Sequence, residues 1–394
     1  MTAVQLGSLF HFIRNGMNVK QDKSGEGLPI TRIETISDAV VDADHVGYAG
    51  LTAADARDWL LEDGDILFSH INSVSHIGKC AVYRGRPSEL VHGMNLLCLR
   101  SDRSKLSPEF AKYLLRSRQF RSRLSNCIKK AVNQASVSIG DLQAIPVTVP
   151  PLPEQRRIAG ILDTADALRI KRRATLAQLD TLTQSIFLDM FGDPATNPMR
   201  FPRKRLDALV REDDSINYGV VQPGDDCEDG IPLVRVGDLH NGRVEQSALK
   251  RISPSIESAY KRSRLRGYEI LISCVGSTGM VALADDSVKG FNIARAVARV
   301  PLVESIERTY VASYLQTQSV QRYFANELRT VSQPTLNIKQ ISETIVLIPP
   351  RELQRKFAER VNTITRIRDC QFESQKELDA VFASIQVDAF RGRL

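Results

Sequence analysis

A chain of 394 residues with 42% apolar content has room for two globular domains plus connecting helices. Its formal charge of +7 leans toward a polyanionic partner, and its six scattered cysteines contain no CxxC pair, which argues against a disulfide frame or zinc site and for reduced thiols in a cytoplasmic setting. The N-terminus, MTAVQLGSLFHFIRNG, lacks a signal-peptide pattern, and no apolar run nears the ~18 residues of a membrane span.

Residues 1–150 read as a first globular unit. Leu28–Ile33, Asp65–Phe68, Cys80–Tyr83 and Leu96–Arg100 are expected as short strands set off by Gly and Asp. Pro108–Leu124 is expected as one helix with Phe110, Tyr113, Leu114 and Phe120 on its apolar side. Its other side carries Arg116, Arg118, Arg121 and Arg123, either a solvated face or a phosphate-tracking stripe.

Residues 151–192 form a long helix whose start is marked by Pro150, Pro151 and Pro153. Its apolar residues step by three and four: Ile158, Ile161, Ala165, Leu168, Leu179, Leu182 and Ile186. That is a heptad seam, with Arg172 and Thr175 as a polar gap. A linker, 193–202, follows. Residues 203–348 form a second globular unit, and 349–394 a second long helix with seam residues Phe357, Ile364, Ile367, Leu378, Val381 and Ile385.

The second helix copies the first. A shift of 199 residues lays Pro150-Pro151 on Pro349-Pro350, Gln155 on Gln354, Leu179-Asp180 on Leu378-Asp379 and Phe191 on Phe390, without insertion. The polar gap recurs as Gln371 and Ser374. The globular units repeat with drift, Gly64–Ser69 resembling Gly267–Ser273 and Gln134–Ile139 resembling Gln333–Ile338. The chain is therefore a tandem duplication, with helices in strict register and heads that vary in their loops.

Catalytic signatures do not surface. There is no GxxxxGK[ST] phosphate loop, no GxGxxG after a strand and no HExxH. Asn197-Pro198 lacks the following Pro-aromatic that amino-methyltransferases use to hold a flipped base.

Two variable units, each followed by a PPLxEQxxIA-like segment and a long helix, resemble the specificity (S) subunit of type I restriction-modification systems. Pro150–Ala159 is a full instance of that motif. The second copy keeps Gln354 but has Leu353 where the first has Glu154. The resemblance implies an α+β fold of two mixed α/β target recognition domains held apart by two long helices in an antiparallel coiled coil. It implies no catalysis by this chain: two methyltransferase (M) subunits would supply S-adenosylmethionine chemistry, and restriction (R) subunits would supply ATP- and magnesium-dependent cleavage. Double-stranded DNA would be read as a split, asymmetric site. A 38-residue helix, Glu154 to Phe191, runs roughly 57 Å at ~1.5 Å per residue. That is one to two DNA turns of ~34 Å. An antiparallel pairing would set Arg172 and Thr175 against Ser374 and Gln371.

Candidate DNA contacts flank the matched anchors, because loops carry base readout and Asn, Gln, Lys and Arg suit base edges and phosphates. In the first unit they are Ser69, His70, Asn72, Ser73, Lys129, Lys130, Asn133 and Gln134. In the second they are Lys261, Arg262, Arg264, Ser277, Thr278, Gln333 and Asn337. The competing readings are a methyltransferase or nuclease with an unfamiliar site, and a coiled-coil scaffold that binds no DNA.

Overall fold

The computed structural model describes residues 2–23, 25–37, 40–130, 134–330 and 334–393. Two compact units emerge, one from Met1–Arg173 with Glu373–Leu394 and one from Ala174–Phe372. Each takes one globular head and one half of each long helix.

In the first unit, Thr2–Gln5 pairs antiparallel with Pro146–Val149, closing the head just before the first long helix. A four-stranded antiparallel sheet follows the order Phe10–Asn15, Leu97–Ser101, Ile66–Phe68, Cys80–Val82. The second unit repeats the plan. Arg203–Arg205 pairs with Ile345–Leu347, and its sheet runs Asn217–Tyr218, Val297–Val300, Ile270–Ser273, Val281–Leu283. The strands Ile66–Phe68 and Ile270–Ser273 are fully buried because both faces are covered: Ile66, Phe68, Ile270 and Ile272 join the helix-side cores, while Leu67 and Leu271 join separate cores on the opposite face. A pair of glycines marks the same crossing in each head. A Cβ on Gly16 would lie 2.3 Å from the carbonyl oxygen of Gly93, and one on Gly219 would lie 1.6 Å from that of Ile293. Met17 and Val220, the next residues, form parallel bridges to Gly93 and Ala294.

The sequence predicts one helix over Pro108–Leu124, whereas the structure has two, Pro108–Arg116 and Arg118–Ser125. Ser117 breaks them: its backbone is extended and its hydroxyl accepts from the Phe120 N–H as an N-cap. Most of the arginine stripe serves the head itself. Arg121 donates to Ile77 O at 2.6 Å, Arg123 to Pro146 O, and Arg116 lies 3.5 Å from Asp166, while Arg118 is exposed.

The long helices are Leu152–Phe191 and Arg351–Arg391, antiparallel and packed together within each unit. In the first unit Arg169 Nε lies 2.5 Å from Asp379 Oδ1, and its guanidinium stacks 4.3 Å from the centre of the Phe382 ring. In the second, Arg368 faces Asp180 at 3.8 Å. Under the 199-residue shift these are the same Arg–Asp pair with the helices exchanged.

The seam needs correction. Leu168, Leu182, Ile367 and Val381 are exposed. Ile158, Ile161, Ala165, Leu179, Ile186, Phe357, Ile364, Leu378 and Ile385 are buried or half-buried. The covered stripe on the first helix is Ile158, Leu162, Ala165, Arg169, Arg172, Leu176, Leu179, Thr183, Ile186 and Met190. On the second it is Phe357, Val361, Ile364, Arg368, Gln371, Gln375, Leu378, Phe382, Ile385 and Ala389, each 199 residues on. The repeat therefore steps four then three from Ile158, not three then four. Apolar residues occupy both frames, and the frame that places Arg169 and Arg368 opposite aspartates prevails.

The repeated motif glutamine joins head to helix. Gln155 is buried; its Oε1 accepts from Ser107 N–H at 2.9 Å, and its Nε2 donates to Lys105 O at 2.8 Å and Pro150 O at 2.9 Å. Gln354 repeats this on Glu307 N–H at 3.0 Å and Pro349 O at 2.8 Å. Ser107 and Glu307 are the N-caps of matching helices, Pro108–Arg116 and Arg308–Leu315. Glu154, by contrast, accepts from Arg157 on its own helix at 2.8 and 2.7 Å.

Candidate nucleic-acid interface

In the first unit two neighbouring segments and a distant one meet in one small sheet, ordered Lys129–Lys130, Ala135–Ser136, Ile71–Asn72. Asn72 stands opposite Ala135, and Lys130 stands opposite Ala135 from the other side. The structure thus gathers Asn72, Lys129, Lys130 and Gln134. Lys130 and Gln134 are exposed, and Lys129 is exposed with Asp141 at 3.3 Å. Asn72 is half-buried, its Oδ1 accepting from Ser73 N–H at 2.7 Å. Ser73 is exposed, with its hydroxyl 2.8 Å from His76 Nδ1. Asn133 lies outside the described residues.

Ser69 and His70 do not belong to that surface. Both are buried in the two-residue link between the strands Ile66–Phe68 and Ile71–Asn72, where Ser69 N–H donates to Lys79 O and His70 O accepts from Val137 N–H, each at 2.9 Å. Burial pushes the His70 imidazole down to about 4, so it is neutral near pH 7. A second buried histidine, His92, is held down to about 4 mainly by burial, while its Nε2 lies 2.8 Å from Leu96 O.

The second unit makes the equivalent juxtaposition. Val275 bridges to Thr335, which sets the Gly276–Gly279 turn beside the strand Pro334–Thr335. Ser277 is exposed and Thr278 half-buried in that turn. Asn337 is half-buried and immediately precedes the helix Ile338–Glu343 without its side chain capping it. Gln333 lies outside the described residues. Lys261 and Arg262 are exposed on a short turn whose Arg262 carbonyl accepts from Asn217 Nδ2 at 3.3 Å. Tyr218, the next residue, donates its hydroxyl to Leu336 O at 3.1 Å, linking this turn to the 334–337 segment.

Arg264 is committed elsewhere. Its guanidinium is bidentate to Glu257 at 2.8 and 2.7 Å, and the Arg264 hydrogen bond holds the nearly buried Glu257 carboxyl below its usual range. A cation so engaged is structural rather than available to a phosphate.

The loops differ where the scaffolds agree. Ser69 and Ser273 each accept a backbone bond from the glycine that ends the turn, Gly78 and Gly279. The first turn is three residues longer. In the second, Ser273 Oγ is satisfied, accepting from Met280 N–H at 2.8 Å. In the first, Ser69 Oγ and His70 Nδ1 find no hydrogen-bond partner among the described residues. Each main sheet also carries in one of its own strands an arginine paired with a buried carboxylate, which the candidate contacts did not include. Arg100 is bidentate to buried Asp65 at 2.8 and 2.7 Å, and buried Arg299 meets Asp214 and, at 3.8 Å, Glu269. The repeated acidic-Ile-Leu run, Asp65-Ile66-Leu67 and Glu269-Ile270-Leu271, is their one trace in the sequence.

The chain matches known proteins along most of its length. The family model for the type I restriction modification DNA specificity domain covers residues 1–180 and 217–379. A putative type I restriction enzyme MjaX specificity subunit of Methanocaldococcus jannaschii is 46% identical over 165 residues, 42% of this chain and 39% of that protein. The type I restriction enzyme EcoBI specificity subunit of Escherichia coli is 30% identical over 302 residues, 68% of this chain and 62% of that protein. The chain thus aligns with less than two thirds of the length of either relative. Among solved structures, a type I restriction-modification S subunit from M. genitalium has the same fold, with a TM-score of 0.58 at 17% identity, over 99% of this chain and 96% of that one.

Proposed function

Since the chain belongs to the type I restriction-modification DNA specificity family, we propose that it is the DNA-reading subunit of such a complex and performs no chemistry itself. Residues 1–150 and 203–348 are the two readers, and 151–192 and 349–394 are the spacers, joined by the 193–202 linker. Each reader takes one half of a split, asymmetric site in double-stranded DNA. The exposed helix faces dock two methyltransferase subunits, which bring S-adenosylmethionine, and restriction subunits bring ATP and magnesium chemistry.

The observation that carries this reading is the pairing of one scaffold with two loop sets. The sheet order, the closing strand pair and the motif glutamine repeat in both heads, while the turns at Asn72–Gly78 and Gly276–Gly279 differ in length and sequence. Equal frames with unequal loops hold unequal half-sites. In the first head, Asn72, Lys130 and Gln134 are the leading contacts; in the second, Lys261, Arg262, Ser277, Thr278 and Asn337. Asn and Gln suit adenine edges, and Lys and Arg suit phosphate or guanine.

Footprinting with a methyltransferase subunit present should give two separated protected patches, with methyl transfer only in the assembled complex. Methyl transfer by the purified chain alone would instead make it an enzyme. Absence of any footprint would make it a scaffold.

A further inference from the structure

The second head touches its helix pair through a feature that, among the described residues, the first head does not share. The hairpin Leu239–His240 and Arg243–Val244 turns at Asn241-Gly242, both with positive φ, 51° and 77°. This Asn-Gly turn matches the right-handed twist of its strands. Its tip reaches the second long helix. Arg243 Nη1 lies 2.7 Å from Asp369 Oδ2, and Arg368 Nη2 donates to Asn241 O at 2.9 Å. Gly242 O accepts from Leu283 N–H at 2.8 Å, which ties the tip back to the main sheet.

Beneath the tip the sheet and the helices do not pack flush. A polar cavity of about 360 Å³ separates them, lined by Asp180, Arg243, Arg308, Asn362 and Arg368 among others. The hairpin tip therefore meets the helix directly, through charge and hydrogen bonding at the edge of this open space.

The first head has the corresponding hairpin, Ile36–Ser37 with Val40–Val41; its turn residues 38 and 39 lie outside the described residues. Val40 stands where Arg243 stands, and Ile170 stands where Asp369 stands. They are 56% and 52% exposed. Arg169, the counterpart of Arg368, is taken up by Asp379, Asp166 and Phe382. Among the described residues, the charged contact between hairpin and helix belongs to the second head alone.

We propose that Arg243, Asp369 and the Arg368–Asn241 bond form a latch that fixes the second head's hairpin against its helix. These are positioning residues, and the latch sets how strictly the complex discriminates the spacing of the second half-site. The inference rests on the DNA-reading function proposed above. An ion pair this exposed contributes little to folding. It can still hold an angle, because it has two charge-assisted contacts on one turn.

The test uses the full chain assembled with methyltransferase subunits. The probes are duplexes carrying the split motif that methylation sequencing returns, at its native spacer and one base pair shorter or longer. Arg243→Ala and Asp369→Ala should each raise methylation of the off-length duplexes, relative to the native one, by roughly three- to tenfold. The exchange Arg243→Asp with Asp369→Arg should restore the wild-type ratio, with thermal midpoints unchanged throughout. Single variants with the wild-type ratio would overturn the latch, as would an exchange that fails to restore it. A wild-type complex that methylates no split motif would refute the reading function itself, a separate outcome.

Discussion

Replacing Gln155 with leucine removes three hydrogen bonds from the junction of the first head and its helix while keeping an apolar side chain of similar length. Ser107 N–H, Lys105 O and Pro150 O are left without their partner. At about 1–2 kcal/mol for each orphaned group, the loss is about 4 kcal/mol. For a unit of this size that is a fall in thermal midpoint of roughly 8–16 °C. The protein's single tryptophan, Trp59, lies in the first head, so its fluorescence follows that unit alone. Gln155→Leu should move the Trp59 transition by this amount. Gln354→Leu, which orphans only Glu307 N–H and Pro349 O, should cost about 2–3 kcal/mol and leave the Trp59 transition in place. A Trp59 transition unmoved in Gln155→Leu would refute the view that this glutamine clamps head to helix.

Other outcomes follow from the same contacts. His70 and His92 are neutral in the fold, both pushed down to about 4, whereas unfolded histidine titrates near 6.5. The unfolded chain binds more protons between those values, so first-head stability is full above about pH 6.5 and falls as pH drops toward 4. The slope is up to about 1.4 kcal/mol per pH unit per histidine, and denaturant titrations followed at Trp59 should show it flatten in His70→Leu. Arg299→Met would remove the buried cation beside Asp214 and Glu269 in the second head and should cost about 3 kcal/mol in chemical denaturation, the backbone N–H bonds to Glu269 limiting the loss. Arg169→Ala should loosen the helix pair, read as faster amide exchange around Asp379; the exchange Arg169→Asp with Asp379→Arg should recover most of the protection.

The duplication was legible because each helix has to present the same stripe to its partner, which forbids insertions. Its frame was not. Ile161, Leu168 and Leu182 lie one residue away from Leu162, Arg169 and Thr183, and hydropathy favours the former, whereas the charged pairing that selects the latter requires knowing the partner. The Ser117 break was hidden for a similar reason, since the apolar spacing of Phe110, Leu114 and Phe120 runs straight through it. Gln155 was visible as a repeated letter, but its role depends on the Lys105 carbonyl and the Ser107 N–H, about 50 residues away in sequence. Ser69 and His70 read as surface residues because polar side chains are seldom buried. The small sheet joining Asn72 to Lys129–Lys130 and Ala135–Ser136 depends on long-range pairing that no local pattern encodes. The proposed base contacts are the least legible, because the loops in which they lie differ between the two copies of one scaffold.

The most direct test is methylation-sensitive sequencing of DNA from cells that express this chain with its methyltransferase subunit. The account predicts one split motif, two unequal half-sites separated by a fixed run of unspecified bases, lost when the chain is deleted. A palindromic motif, or an undivided one, would contradict it.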